Sequence, residues 1–402
     1  MQRVCAGALL NTGRTTILNP GNSKDDLASL SVIQQLGATI HNDGQTLLID
    51  SHGILPVSAE INCGESGLGL RMFAPIAAIS SKFISIKGSG SLTNRPMHFF
   101  DEIFPILGIT VSTNKGKLPI TIQGPLHPKD ISVDGSLSSQ FLTGLLFAFA
   151  YACIAETKIT VDNLVSKPYI DLTLKVLKDF GYNVTHHDHQ EFIIQPATAY
   201  SRDRVISIEG DWSGAAFLLV AGAISGSITV SGVSTESAQA DKAIIGALHK
   251  AGAEIINSGT SITIKRSALK GFQFDATNCP DLFPPLVALA VHCKGTTTLK
   301  GVSRLKHKES DRALTLKEEF EKMGASIIMD DDDMLIDCST NICGAELSSH
   351  HDHRIAMACA VAALGATGST VVTGAEAISK SYPEFYSHLQ LCKASLEIVN
   401  DA

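Results

Sequence analysis

The stretch "LTLKVLKDFGYNV" (residues 172–184) decides the fold. Apolar residues recur at helical spacing up to Phe180, Gly181 interrupts them, and an alternating pattern follows. Such a glycine predicts a helix C-terminus that turns directly into a strand. The same phrase returns as "LGATI" at Gly37, "LGITV" at Gly108, "AGAEI" at Gly252 and "MGASI" at Gly324, so the five glycines stand 71, 73, 71 and 72 residues apart. Stretches of β type, such as "KITVDN", "SITVSG" and "TTLKGV", precede the helices. A repeat of this length governs the whole chain.

A second, more apolar helix keeps the same period, opening at Gly67, Ser138, Asp211, Asp281 and Asp352. Four of these five starts carry Ser or Asp, which predicts side-chain N-caps. The unit reads strand–helix–strand–strand–helix, repeated about six times. Helices this apolar need burial on most sides, so three units are expected to wrap a helical core in each of two globules, residues 1–208 and 209–402. One period before Gly67 falls just ahead of Met1. "MQRVCAGALL" (1–10) is therefore expected to be the remainder of the first core helix, with its opening turn and leading strand upstream.

Composition narrows the function. Of 402 residues 44% are hydrophobic and 18% charged, with a net charge of −8. This balance excludes a general binder of nucleic acid or of anionic membrane surfaces. Nine cysteines form no CxxC pair and read as small buried hydrophobes of a reducing cytoplasm. The longest uncharged run, residues 135–155, carries Ser, Gln and Thr and reads as a core helix rather than a membrane span. The opening residues, "MQRVCAGALL", do not read as a signal peptide.

Polar residues gather where the apolar helices begin: Ser138-Ser139-Gln140, Asp281 and Asp352-His353-Arg354. Free N–H groups and the helix dipole favour anions there. The densest charged stretch, "RLKHKESDRALTLKEE" (304–319), lies between a strand and a helix. Several such starts in register, with arginines in charge-poor surroundings, predict a cleft for phosphate or carboxylate groups.

Eight ordered motifs sharpen this: "NCGESGLGLR" (62–71), "NRPM" (94–97), "LSSQFLTGLL" (137–146), "VSKPYIDLTL" (165–174), "CPDLFPPL" (279–286), "KESDR" (308–312), "DHRIAMA" (352–358) and "SKSYPEFY" (379–386). Together they resemble the enolpyruvyl transferases, most closely the 5-enolpyruvylshikimate-3-phosphate synthases, from Arg3 to about Phe385. The resemblance implies an α/β fold of two domains, each of three βαβαββ repeats around buried parallel helices (an inside-out barrel). The first repeat would be truncated, and the active site would lie in the cleft between the domains. It also implies transfer of the enolpyruvyl group from phosphoenolpyruvate to the 5-hydroxyl of shikimate 3-phosphate, through a tetrahedral ketal and with release of phosphate. No metal or organic cofactor is implied, and the enzyme is expected to be a cytoplasmic monomer of aromatic amino acid biosynthesis.

Residue roles follow motif by motif from the same resemblance. Planar guanidinium groups suit a substrate bearing both phosphate and carboxylate. Arg95, Arg312 and Arg354 are implied for phosphoenolpyruvate, with Lys380 and Gln140 assisting and Gly67 packed against it or against the inhibitor glyphosate. Shikimate 3-phosphate is assigned to Ser138, Ser139 and Ser166, with Arg3 and Lys308 nearby and Tyr169 against the ring. Asp281 is implied as the base at the hydroxyl, Glu309 as the proton shuttle at the methylene, and His353 as a partner of the reacting phosphate. Which carboxylate takes which step stays open. The family's first motif places a lysine ahead of the position of Arg3, so that lysine is expected before Met1. Lys306 and His307 also depart from the common pattern.

Three other readings compete. The sister enzyme acting on UDP-N-acetylglucosamine carries a cysteine five residues before its Arg-Pro, where this chain has Gly90. A metal-binding or regulatory protein could be built on "HHDHQ" (186–190) and "HHDHR" (350–354), of which the first reads as a polar hairpin turn. The acidic run at residues 330–333 reads as the equivalent hairpin of the fifth repeat, and Trp212 as a core residue. The last alternative is a family member that folds without turning over.

Overall fold

Five outer helices, Lys24–Gln35, His98–Ile106, Lys167–Asp179, Ile244–Lys250 and Arg312–Lys322, all end in the same way. Two residues beyond each stands one of the five periodic glycines, at φ between 81° and 113°. The next residue's N–H then reaches back five residues to a helix carbonyl: Ala38 to Ile33, Ile109 to Phe104, Tyr182 to Leu177, Ala253 to Leu248 and Ala325 to Phe320, at 2.9–3.2 Å. This is the Schellman motif, and only glycine adopts its left-handed position without strain. The buried apolar residue at the receiving end clips each helix to the core.

These contacts are seen in a computed structural model that describes residues 1–197, 202–306, 308–337 and 342–399. His307 and Cys338 lie outside the described residues. The chain divides into two compact units, Met1–Ile208 and Glu209–Ala402.

In the first unit three four-stranded sheets share one topology. A short leading strand pairs parallel with the next strand, which pairs antiparallel with a hairpin, as in Glu60–Asn62, Phe83–Lys87, Ile120–Gln123 and Thr110–Thr113. The third sheet repeats this with Ile131–Asp134, Thr157–Asp162, Glu191–Ile194 and Val184–His187. In the first sheet the leading position is filled by Arg204–Ser207, from the end of the unit, paired parallel with Gly13–Leu18. The leading strands are only three or four residues long, and the sequence pattern missed them for that reason.

Three core helices, Gln2–Leu10, Gly67–Ala77 and Ser139–Ala152, pack within this unit. Eleven of the fourteen residues of Ser139–Ala152 are buried, so this apolar run is a core helix as its hydroxyls and glutamine predicted. Each fully buried Phe or Leu on it contributes roughly 1.5–3 kcal/mol.

The second unit repeats the plan around Trp212–Ser225, Phe283–Ala290 and His353–Ala363. Its sheets have three, four and two strands among the described residues. Trp212 is fully buried and donates its indole N–H to the Ser234 carbonyl at 3.0 Å, which makes it a core residue. The acidic run forms the tip of the hairpin Ser326–Asp330 and Asp333–Asp337. No helix among the described residues is long and apolar enough to cross a membrane.

Candidate active site

The N-caps decide what is left over for chemistry. Ser66, Ser138, Asp211 and Asp352 each accept a backbone N–H in the first turn of a core helix. Asp281 was expected to do the same and does not. It sits in the short 3-10 turn Pro280–Leu282, ahead of Phe283–Ala290, and makes no cap. Its carboxylate is taken by cations instead.

In the first unit the opening turns of the three core helices meet. Ser66 Oγ donates to Gln2 Oε1 at 2.9 Å. Arg71 Nη1 donates to Gln140 Oε1 at 2.8 Å, and its guanidinium lies 4.9 Å from the Phe141 ring centroid. A Cβ on Gly67 would stand 2.6 Å from Arg95 Nη1 and 3.5 Å from Gln140 Oε1. Gly67, Arg95 and Gln140 are thus brought together, as the motifs implied. Arg71 was quoted in a motif without a role. A lone arginine in the apolar run "GLGLRMFAPIA" was the available signal, because a buried guanidinium needs partners.

Arg3 belongs to a second group in this unit. Its Nε donates to Thr173 Oγ1 at 2.9 Å and its Nη2 to the Tyr169 carbonyl at 3.4 Å. Burial pushes the Arg3 pKa down to about 10, which leaves it charged at neutral pH. Ser166 opens the helix Lys167–Asp179 in the left-handed region, at φ 57°, and its hydroxyl does not cap that helix. A non-glycine residue held there costs on the order of 1–3 kcal/mol. Thr143 and Thr173 hydroxyls, 3.1 Å apart, link this helix to the one that begins at Ser139.

The second unit gathers far more charge. Asp281 Oδ1 takes Lys308 Nζ at 3.1 Å and Arg312 Nη1 at 2.9 Å, and its Oδ2 takes Arg354 Nη2 at 3.2 Å. Arg312 also pairs with Glu309 at 2.6 Å and with Asp352 at 2.7 Å. Glu309 reaches Lys380 at 3.2 Å, and Ser310 Oγ donates to Asp352 at 3.1 Å. Arg312 and Asp352 are almost wholly buried, at 1% and 0% exposure. Six of the residues implied for this unit therefore form one network: Asp281, Lys308, Glu309, Arg312, Arg354 and Lys380. His353 opens the helix that follows Asp352, with Nδ1 3.8 Å from the Asp352 carboxylate.

The electrostatics follow from burial and neighbours. Burial alone would raise Asp281, but Arg354, Lys308 and Arg312 overcome it and hold the carboxyl well below the usual range. Burial pushes His353 down to about 3, so its imidazole is neutral at pH 7. Burial lowers Lys308 despite the nearby Asp281 carboxylate.

Sequence reasoning missed Asp241, which burial and the Asp281 charge push up to about 6. It accepts a hydrogen bond from Ser213 Oγ, in the opening turn of the first core helix of this unit. Nothing in "AQADKAIIG" marks it. The roles of Asp352 and Ser310 as acceptor and donor around Arg312 were likewise hidden.

Comparison with known proteins gives the family. The family model described as EPSP synthase (3-phosphoshikimate 1-carboxyvinyltransferase) matches residues 2–389. A 3-phosphoshikimate 1-carboxyvinyltransferase of Clostridium kluyveri is 38% identical over 95% of this chain and 89% of its own length. One from Methanocorpusculum labreanum is 36% identical over 97% of this chain and 92% of its own. Among solved structures, the EPSP synthase of Acinetobacter baumannii superposes with a TM-score of 0.79 at 25% identity, covering 97% of this chain and 92% of that one. The enolpyruvyl transferase NikO of Streptomyces tendae shares the fold, with a TM-score of 0.77 at 17% identity. Matched along nearly its whole length by the family model and by relatives above 30% identity, the chain belongs to the EPSP synthase family.

Proposed function

We propose that this chain transfers the enolpyruvyl group of phosphoenolpyruvate to the 5-hydroxyl of shikimate 3-phosphate and releases phosphate, the reaction for which its relatives are named. The observation that carries this reading is the Asp281 carboxylate ringed by Lys308, Arg312 and Arg354, with Glu309 bridging Arg312 and Lys380.

Each set of residues is given its part in this reaction motif by motif. Arg95, Arg312, Arg354 and Lys380 hold the phosphate and carboxylate of phosphoenolpyruvate, with Gln140 as a neutral donor and Gly67 leaving room. Ser138, Ser139 and Ser166 hold the shikimate phosphate, with Arg3 and Lys308 beside it and Tyr169 against the ring. The left-handed Ser166, whose hydroxyl is not used as a cap, supports that assignment.

The proton steps follow from the ion pairs. Asp281 takes the proton of the 5-hydroxyl as its oxygen attacks C2 of phosphoenolpyruvate. Glu309 gives a proton to the C3 methylene, forming the tetrahedral ketal, and takes one back as phosphate leaves. Glu309 pairs with Arg312 and Lys380, and as the substrate's own anions engage those cations it is left to carry the proton. Neutral His353 donates a hydrogen bond to the phosphate that departs.

The sister activity on UDP-N-acetylglucosamine is disfavoured at one position. Gly90 is at φ +56°, a conformation that strains any side chain, and a Cβ there would stand 2.4 Å from the Glu65 carboxylate, which would have to move to admit the cysteine of that enzyme. We further propose a monomer acting in the cytoplasm; the free thiols of the eight described cysteines support a reducing compartment. The deciding measurement is phosphate release from phosphoenolpyruvate with and without shikimate 3-phosphate. Release that requires the second substrate supports the reading, and its absence with correctly folded protein overturns it.

A further inference from the structure

The histidine turn at residues 186–190 lies outside everything described so far. It joins Val184–His187 to Glu191–Ile194, and Asp188 and His189 both take left-handed conformations, at φ 50° and 58°. This bends the His189 ring back over His186, with centroids 4.1 Å apart. His189 Nε2 meets Asp171 Oδ1 at 2.6 Å, and His186 Nδ1 accepts the His189 backbone N–H at 3.2 Å. Two imidazoles and a carboxylate thereby bring one ligand atom each within 4.8 Å of the others. The buried Phe192 ring walls the cluster, 5.6 Å and 6.4 Å from the two imidazoles.

A second cluster with the same kind of donors shows why this one is suited to a metal. Glu318, Glu319 and His350 also converge, but Glu319 already accepts from Lys322 at 2.7 Å, from His350 at 2.7 Å and from the Ser348 N–H at 2.9 Å. A cation entering there must displace an ammonium group. At the turn it competes only with the proton between His189 and Asp171 and with one long backbone hydrogen bond at His186.

We propose that Asp171, His186 and His189 form a binding site for a divalent transition metal of the zinc type, with water completing the coordination. Imidazole and carboxylate are the ligands such ions favour, and three protein ligands plus water is a common tetrahedral set. Bonds of about 2.1 Å place donors about 3.4 Å apart. The His189–Asp171 pair opens slightly to admit the ion, and the His186 ring rotates inward. The ion replaces the shared proton, which leaves to solvent.

The position gives the ion a role in order rather than in catalysis. Asp171 lies on the helix Lys167–Asp179, between Tyr169 and Thr173, the two residues that hold Arg3. A metal there ties the hairpin to that helix, and the inference is independent of the reaction proposed above.

The test is calorimetric titration of the full, metal-stripped chain with zinc chloride, alongside His186→Ala, His189→Ala and Asp171→Asn. Glu319→Gln serves as control. One ion per chain is expected, with affinity weakened at least about tenfold in each of the three variants and unchanged in the control. Zinc is also expected to raise the thermal midpoint of the parent and of the control but not of the three variants. The Asp171→Asn side chain keeps its size and a hydrogen-bonding oxygen, so that variant decides the matter if an alanine variant misfolds. Absence of saturable binding, or binding that all three variants retain, would leave a hydrogen-bonded histidine turn and overturn the proposal. Loss of binding in Glu319→Gln instead would move the site to the other cluster and overturn it equally.

Discussion

In the first unit the buried Arg71 donates to a neutral amide, Gln140, and lies over the Phe141 ring; in the second, the buried Arg312 is gripped by three carboxylates, Asp281, Glu309 and Asp352. Both arginines stand beside the opening turns of core helices. A neutral acceptor holds a guanidinium weakly enough that an incoming anion can take it over. Three carboxylates fix its position instead. On the roles proposed above, both units supply cations to the substrate's anions, Arg95 in the first and Arg312, Arg354 and Lys380 in the second, while the carboxylates proposed for the proton steps, Asp281 and Glu309, lie in the second.

The sharpest break of this comparison is Arg312→Ala. Asp352 is fully buried and would lose the guanidinium that offsets the cost of burying its carboxylate. Removing one member of such a pair costs about 3–5 kcal/mol. Arg71→Ala takes the donor from the neutral Gln140 amide, for about 1–3 kcal/mol. Urea unfolding of both variants measures the difference, and equal losses would mean that the two arginines are held alike.

Next in size is Asp281→Asn. If this carboxylate is the base, kcat falls about 100- to 10,000-fold, as expected when a positioned proton acceptor is lost. Gln140→Ala, which removes a neutral donor, should act mainly on the KM for phosphoenolpyruvate. A similar drop in kcat for both variants would erase the division of labour between the units.

These residues were not equally legible in the sequence. The repeat, the five glycine caps and the apolar helices were readable because each is local: a spacing, a φ that only glycine adopts easily, a run without charge. Most site residues were legible only through the family resemblance, since their chemistry depends on partners far along the chain. Asp281 illustrates the limit. As an acidic residue at a helix start it reads as an N-cap, and only the arrival of Lys308, Arg312 and Arg354 from later segments gives it another use. Asp241 and Asp171 show no local sign at all, because a carboxylate gains meaning from what folds against it.

A pH series sharpens the comparison further. His353 is held neutral by burial, down to about 3 against an ordinary value near 6.5. Below pH 6.5 the unfolded chain takes up a proton there that the folded chain refuses, so the His353 contribution to stability falls with falling pH, while Asp241, held up at about 6, acts in the opposite direction. Between pH 6.5 and 5 the loss amounts to about 2 kcal/mol. Asp281, held low, acts in the same direction as His353 only below its unfolded value of 3.8, where the unfolded chain binds a proton that the folded carboxylate still refuses. His353→Gln should therefore flatten the stability profile between pH 6.5 and 5, read by urea unfolding at three pH values. An unchanged slope would place the acid sensitivity elsewhere.

The smallest expected effect tests the first unit from within. A Cβ added at Gly67 would meet Arg95 Nη1 at 2.6 Å, too close to tolerate, yet the obstacle is the far end of a side chain rather than backbone. The guanidinium can therefore shift while the helix Gly67–Ala77 stays as it is. Alanine also favours the helix over glycine by up to about 1 kcal/mol, which offsets part of the strain. Gly67→Ala should leave the unfolding midpoint within a few degrees of the parent. It should raise the KM for phosphoenolpyruvate by roughly tenfold, the equivalent of about 1.4 kcal/mol at one displaced ion contact, with kcat little changed. If kcat falls as far as in Asp281→Asn, Arg95 takes part in the proton steps as well as in holding the substrate. The first unit would then share the task that the carboxylates of the second were assigned.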